Sequence, residues 1–208
     1  MYIPVDFQIK DQDRIYDWID QLGFATLVSI NGTTPFATHL PLLLDRGNDR
    51  LYGHLARANP QWQHLDGQEV LATFLGPHHY ISPAWYETGQ AVPTWNYISI
   101  HVYGKVAIEK DGQRLSQLLR DTVRKYEGED SPYRIDQVDA RYLEGMAQSV
   151  VGFQIQMDRV EGKAKLSQNH PLERQERVAA RLGQMGTDDA MAIAALMRTH
   201  IEQTKRGE

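Results

Sequence analysis

The chain has 208 residues, 41% hydrophobic and 24% charged, with a formal net charge of −5. These proportions are ordinary for a globular protein and exclude a charge-driven disordered chain. The absence of cysteine excludes disulfides, thiolate metal sites and cysteine nucleophiles, and no apolar run approaches the roughly 18 residues of a membrane span.

The start, MYIPVDFQIKDQD, lacks the basic and then apolar pattern of a secretion signal, so a cytoplasmic location is expected. Ile15, Trp18, Ile19 and Leu22 recur at helical spacing, which predicts a helix over 12–22 that Gly23 stops. FATLVSI (24–30) reads as a strand, and Asn31-Gly32 is a turn signal. FATHLPLLL (36–44) and RLYGHLA (50–56) read as two more strands, with the polar run Asp45 to Asp49 between them. EVLATFLG (69–76) is a fourth strand and NYISIHVYGKVAIE (96–109) a fifth, with a bend expected at Gly104. Leu115, Leu118, Leu119, Thr122 and Tyr126 mark a helix, and 136–146 a shorter one. SVVGFQIQMDRVEG (149–162) alternates and makes a sixth strand.

Two helices, 172–183 and 188–203, are expected after that, with a break from Gly183 to Thr187. Ala190, Ile193, Ala194, Met197 and Ile201 give the second an apolar stripe suited to packing on the body or on a partner subunit. Strands joined by short turns, without regular βαβ alternation, predict a mainly β fold: a six-stranded antiparallel barrel with peripheral helices. The expected division is a barrel domain over 1–170 and a helical appendage over 171–208.

The chemistry concentrates between Thr38 and Tyr103, where six of eight histidines and three of four tryptophans fall. Side chains with a flat apolar face and a hydrogen-bonding edge suit a planar polar ligand, or equally the aromatic plugs of a barrel core. Adjacent His78 and His79 point to opposite faces of a strand, and His39, His54 and His101 have no metal-ligand spacing, so no metal is expected. No G-x-S-x-G elbow, P-loop or G-x-G-x-x-G occurs. A phosphorylated ligand would therefore be held by side chains. Arg57 and Asn59 supply donors in one stretch, and Lys163, Lys165 and Ser167 in GKAKLSQNHP (162–171) supply them in another. The competing interpretation makes Ser167 a helix cap and the lysines a solvated turn. For a flavin-like ring, the backbone of 36–44 would meet the polar edge. Residues 163–208 carry eight Lys/Arg against six Asp/Glu. A surplus of two fits a solvated helical surface better than a DNA-reading face.

At MYIPVDF, FATHLPLLL, LYGHLARANPQW, GPHHYISPAWY, VPTWNYISIHVYG and KLSQN, the chain resembles the PaiB-type family of FMN-binding negative transcriptional regulators. The six motifs occur in that family's order over about residues 1–171. The resemblance implies a Greek-key split barrel, a homodimer, and FMN between the subunits. It implies that Thr38, His39, Leu40 and Pro41 line the isoalloxazine, and that His54, Arg57 and Asn59 approach the ribityl phosphate. Trp95, Asn96, Lys165, Ser167 and Gln168 would complete the site, some from the second subunit. His170 departs from the Arg expected after the Asn, and a neutral His would weaken a phosphate contact. Alternatives to the regulator are a flavin-dependent oxidoreductase and a flavin or redox sensor acting through a protein partner. His39 and His101 are the candidate acid–base groups, each equally suited to a barrel core.

Overall fold

A computed structural model describes residues 1–128 and 130–207. Its elements in chain order are β1 (Gln8–Ile9), α1 (Gln12–Leu22), β2 (Phe24–Asn31), β3 (Thr34–Pro41), β4 (Leu43–Asp45) and β5 (Arg50–Ala56). Next come β6 (Glu69–Ile81), β7 (Thr94–Ile108), α2 (Gly112–Glu127), α3 (Ala140–Gln148) and β8 (Val150–Lys165). The helices α4 (Leu172–Gly183) and α5 (Asp188–Arg206) follow. The strand order is β3-β2-β6-β7-β8-β5-β4, with β1 paired to β8.

Eight strands therefore stand where six were expected. β1 is two residues long, too short to leave a periodic signal, and pairs Gln8 with Lys163 and Ile9 with Gly162. The segment 36–44 is two strands. Pro41 has no N–H with which to continue a ladder, and Leu42 turns its fully buried side chain into the core. The Leu42 amide bonds Gly23 O at 2.8 Å. β6 runs on through Gly76-Pro77 to Ile81. The glycine there serves close packing: a Cβ at Gly76 would lie 3.0 Å from Ile98 Cβ.

The β2–β3 hairpin follows from local chemistry. Its register runs from Phe24 opposite Pro41 to Asn31 opposite Thr34, and Gly32 takes φ +63 in the two-residue loop. β2 buries Ala25, Leu27 and Ser29 on alternate positions.

The chain forms two compact units. One holds Met1–Trp18, Leu75–Ile100 and the chain from Glu161 onward. Its core includes Ile81, Tyr86, Ile98, Val178, Leu182, Ile193 and Met197. The apolar stripe of α5 is buried within this unit, where α4 packs on α5 and on the single turn Pro83–Tyr86. The other unit holds Ile19–Phe74 and His101–Val160. Its core includes Leu27, Leu51, Leu65, Phe74, Phe153 and Ile155. Gly104 there meets β8 so closely that a Cβ would lie 1.9 Å from Gln156 O.

Candidate flavin site

The residues implied as ligand contacts fall into two clusters, one in each unit. The first is built on β3 and the segment after β5. Thr38 Oγ1 accepts a 2.9 Å bond from Asn59 Nδ2, and Asn59 Oδ1 accepts one of 3.0 Å from Gln61 N. Asn59 thus caps the single turn Pro60–His64 and ties it to β3. Gln61, which the sequence did not single out, completes the tie. Its buried Nε2 donates to Ser29 Oγ at 2.9 Å, and to Leu27 O and Phe36 O at 3.3 Å each.

Arg57 is committed to backbone. Its Nε donates to Gln148 O at 2.7 Å and its Nη2 to Val150 O at 2.9 Å. Its own carbonyl accepts from Trp62 Nε1 at 2.9 Å. His39 is exposed, hydrogen-bonded to Thr26 Oγ1 at 2.9 Å and stacked on Phe24. Leu40 is buried and Pro41 half-buried. His54 is half-buried, and burial holds its imidazole below the usual pKa.

The second cluster joins the end of β8 to the start of β7. Asn96 and Ser167 are buried, with Asn96 Nδ2 donating to Ser167 Oγ at 3.0 Å. Ser167 Oγ also lies 2.9 Å from Tyr86 Oη. Ser167 takes φ +67, so this serine holds a turn rather than capping a helix. Gln168 closes the same turn: its Oε1 accepts from Leu166 N and its Nε2 donates to Ala164 O, each at 2.6 Å. Trp95 alternates with buried Asn96, as the strand period requires, and stands 52% exposed beside Tyr80 and His78.

Two lysines one strand period apart dominate the charge. Lys163 is 7% exposed and donates to Tyr2 O at 3.1 Å. Lys165 donates to Thr94 Oγ1. Neither has a carboxylate partner among the described residues. Burial, and then the charge of Lys163, pull the Lys165 ammonium below the usual lysine pKa. His170 stacks on Tyr86 with centroids 4.2 Å apart. Burial, then Arg174 and Lys165, hold it toward the neutral form. Lys165, Ser167, His170, Tyr86 and Thr94 line a cavity of about 240 Å³. One ammonium on the cavity wall, Lys165, with a second one strand period away and no carboxylate partner for either among the described residues, fits a phosphate. β3, at one end of the strand order, fits the polar edge of a flavin ring.

Tyr86 and Thr94 were not singled out in the sequence. Their roles arise from partners about 70 to 80 residues away, which no local spacing reveals.

Residues 1–159 match the family described as "Putative FMN-binding domain". The chain is 36% identical over 98% of its length to the protease synthase and sporulation protein PAI 2 of Bacillus subtilis, covering 99% of that protein. It is 30% identical to uncharacterized protein AN0679 of Emericella nidulans, over 80% of this chain and 82% of that one. Among solved structures, the flavocytochrome Anf3 from Azotobacter vinelandii aligns with a TM-score of 0.60 at 19% identity, over 76% of this chain and 69% of that one. A FAD and heme binding protein from Mycobacterium smegmatis gives 0.61 at 14%, over 76% and 73%. At those identities the likeness is one of fold, the antiparallel split barrel. The chain belongs to the FMN-binding domain family, whose cofactor is FMN.

Proposed function

We propose that the protein is a homodimeric, FMN-binding negative transcriptional regulator of the PaiB type. The observation that carries the flavin assignment is the Lys163 and Lys165 pair in the GKAKLSQN segment (162–169), buried or half-buried with no carboxylate partner among the described residues. The regulator role is supported by end-to-end similarity to PAI 2, whose name couples it to protease synthesis and sporulation.

Bound FMN supplies a redox centre able to accept a hydride. Around it the chain's own groups take distinct parts. Lys165 contacts the phosphate, with Lys163 reinforcing its field. Thr38, His39, Leu40 and Pro41 would present β3 to the ring and His54 would approach the ribityl phosphate, some of the site's groups coming from the second subunit. Arg57, Asn59, Asn96, Ser167 and Gln168 have hydrogen bonds committed within the protein and hold these segments in place. Trp95 offers an exposed ring for stacking. In this scheme residues 1–170 form the flavin-binding body and 171–208 a helical appendage.

The test combines three measurements. Titration with FMN, followed in the visible spectrum, is expected to saturate at one flavin per chain. Sedimentation at micromolar concentration is expected to give twice the 23.8 kDa chain mass. A promoter fragment is expected to shift with strong salt dependence. Steady turnover of NADPH without any DNA shift assigns the chain to flavin oxidoreductases instead. Flavin binding with neither turnover nor a shift leaves a sensor that works through a protein partner.

A further inference from the structure

We propose that the cavity between α2 and the outer face of β4 and β5 is a second ligand site, taking a small monocarboxylate with an apolar body. The cavity measures about 660 Å³, within the range of small-molecule sites. None of the residues assigned to the flavin lines it.

The site follows from strand alternation. Arg50 and Tyr52 lie two apart on β5 and share a face. Register places Asp45 opposite Arg50 and Leu43 opposite Tyr52 on β4. On the other side, β8 places Gln156 opposite Arg50 and Gln154 opposite Tyr52. Both glutamines aim their oxygens at the arginine: Nε donates to Gln156 Oε1 at 2.8 Å and Nη1 to Gln154 Oε1 at 3.4 Å. Asp45, the acid best placed to neutralise Arg50, turns away. Its Oδ1 accepts from Gly47 N and Asn48 N at 3.1 and 3.2 Å, and its Oδ2 from Asn48 Nδ2 at 2.8 Å. The guanidinium is thus oriented by two neutral amides, with no carboxylate partner and Nη2 unbonded among the described residues. The Tyr52 hydroxyl also has no protein partner there.

A fixed guanidinium edge and a free phenol, side by side, form a receptor for one carboxylate. Leu43, Leu44 and Leu118 supply apolar wall for the rest of the ligand. The acids facing the same space set the charge limit. Glu109 Oε1 accepts from Asp111 N, and Asp121 Oδ1 from Gln117 Nε2, both at 2.8 Å. With Asp45 they number three against the three lining arginines, of which Arg46 is paired to Asp20 and Arg114 to Asp111, leaving Arg50 the lining arginine without a carboxylate among the described residues. A balanced lining accepts a single negative charge at Arg50 and disfavours polyphosphates.

Calorimetric titration of the full-length protein with 3-phenylpropionate, with and without saturating FMN, tests the assignment. Saturable binding is expected in both forms, with no binding of the neutral 3-phenylpropionamide. Arg50→Gln is expected to weaken the acid at least tenfold while FMN affinity stays unchanged. Tyr52→Phe, which keeps the ring, is expected to weaken it about threefold and serves alone if Arg50→Gln does not fold. Equal binding of acid and amide, no binding of the acid, or full affinity in the variants overturns the proposal. Displacement of the acid by FMN also overturns it, because the cavity would then belong to the cofactor. Failure of FMN to bind, with the acid still bound, would remove the flavin assignment and leave this site standing.

Discussion

Tyr86 Oη and Ser167 Oγ lie 2.9 Å apart, both buried, and the same serine oxygen takes a 3.0 Å bond from Asn96 Nδ2. One hydroxyl thus serves two partners from distant parts of the sequence. It also sits on a residue in the left-handed region at φ +67. Holding a β-carbon there is unfavourable, and the surrounding bonds maintain it.

The network predicts an asymmetry. Ser167→Ala keeps the strained backbone but strands Tyr86 Oη in the interior and leaves Asn96 Nδ2 only the weak acceptor Met197 Sδ at 3.5 Å. Tyr86→Phe removes one partner of the serine hydroxyl and leaves Ser167 bonded to Asn96. The serine variant is expected to lose about 2–4 kcal/mol of unfolding free energy and the tyrosine variant about 0.5–1.5 kcal/mol. Urea denaturation of both decides it; equal losses would show that the serine is not the hub.

Gly104 gives a test of the β7–β8 approach. An added Cβ would lie 1.9 Å from Gln156 O, and the obstacle is backbone rather than a flexible side chain. Gly104→Ala is expected to cost several kcal/mol or abolish soluble expression. Gly112→Ala, where nothing lies within 4 Å, is the control. A melting temperature within 2–3 °C of wild type for Gly104→Ala, on the order of 1 kcal/mol for a chain this size, would rule out the close approach.

Most of the sheet and its helices were legible because their signals are local. α1 falls on 12–22 as its spacing predicts, and the Asn31-Gly32 turn opens the β2–β3 hairpin. The break in 36–44 was hidden because Leu42 is apolar like its neighbours, while its amide bonds Gly23 instead of a neighbouring strand. At the site, the Asn59 and KLSQN segments stood out by composition. The roles within them did not. Arg57 looked like a phosphate fork, and its fork instead meets two carbonyls contributed some 90 residues later. Such commitments depend on tertiary neighbours, which residue type alone does not encode.

Stability should rise with pH across the histidine range. His54, His170 and His200 are all held below the free imidazole value of 6.5, chiefly by burial. A depressed pKa in the folded state means that the unfolded chain binds more protons between the two values. The contribution of these histidines is therefore complete above about pH 6.5 and is lost as pH falls through their folded values. Melting temperatures from pH 5 to 8 should climb and then level off. His170→Asn should flatten the climb; an unchanged profile would take His170 out of the titration.

Lys165 should matter to flavin more than an exposed lysine does. Lys165→Ala is expected to weaken FMN about ten- to a hundredfold, the loss of one charge-assisted phosphate contact worth roughly 1.5–3 kcal/mol. Lys110, exposed and 3.9 Å from Asp66, should have no effect when changed to alanine. Because the Lys165 ammonium is depressed, wild-type FMN affinity should also fall at a lower alkaline pH than an ordinary lysine would give. Equal dissociation constants for the two variants would remove Lys165 from the phosphate.

The last prediction concerns turnover. His39 is exposed on β3, and its Nδ1 is engaged by Thr26 Oγ1 at 2.9 Å while its ring stacks on Phe24. No carboxylate orients it among its bonded partners, so it lacks the third group that tunes most catalytic imidazoles. A regulator needs flavin bound but not rapidly cycled. His39→Gln, which keeps a hydrogen bond to Thr26, should therefore leave FMN bound. It should also leave reduction of the bound flavin by NADPH within about twofold of wild type, against the hundredfold or more that loss of a general acid–base group costs. Stopped-flow absorbance of the flavin band measures both proteins directly. Fast wild-type reduction that collapses in the variant would make His39 a catalytic residue and the protein an oxidoreductase. A slow rate shared by both fits a flavin held as a signal.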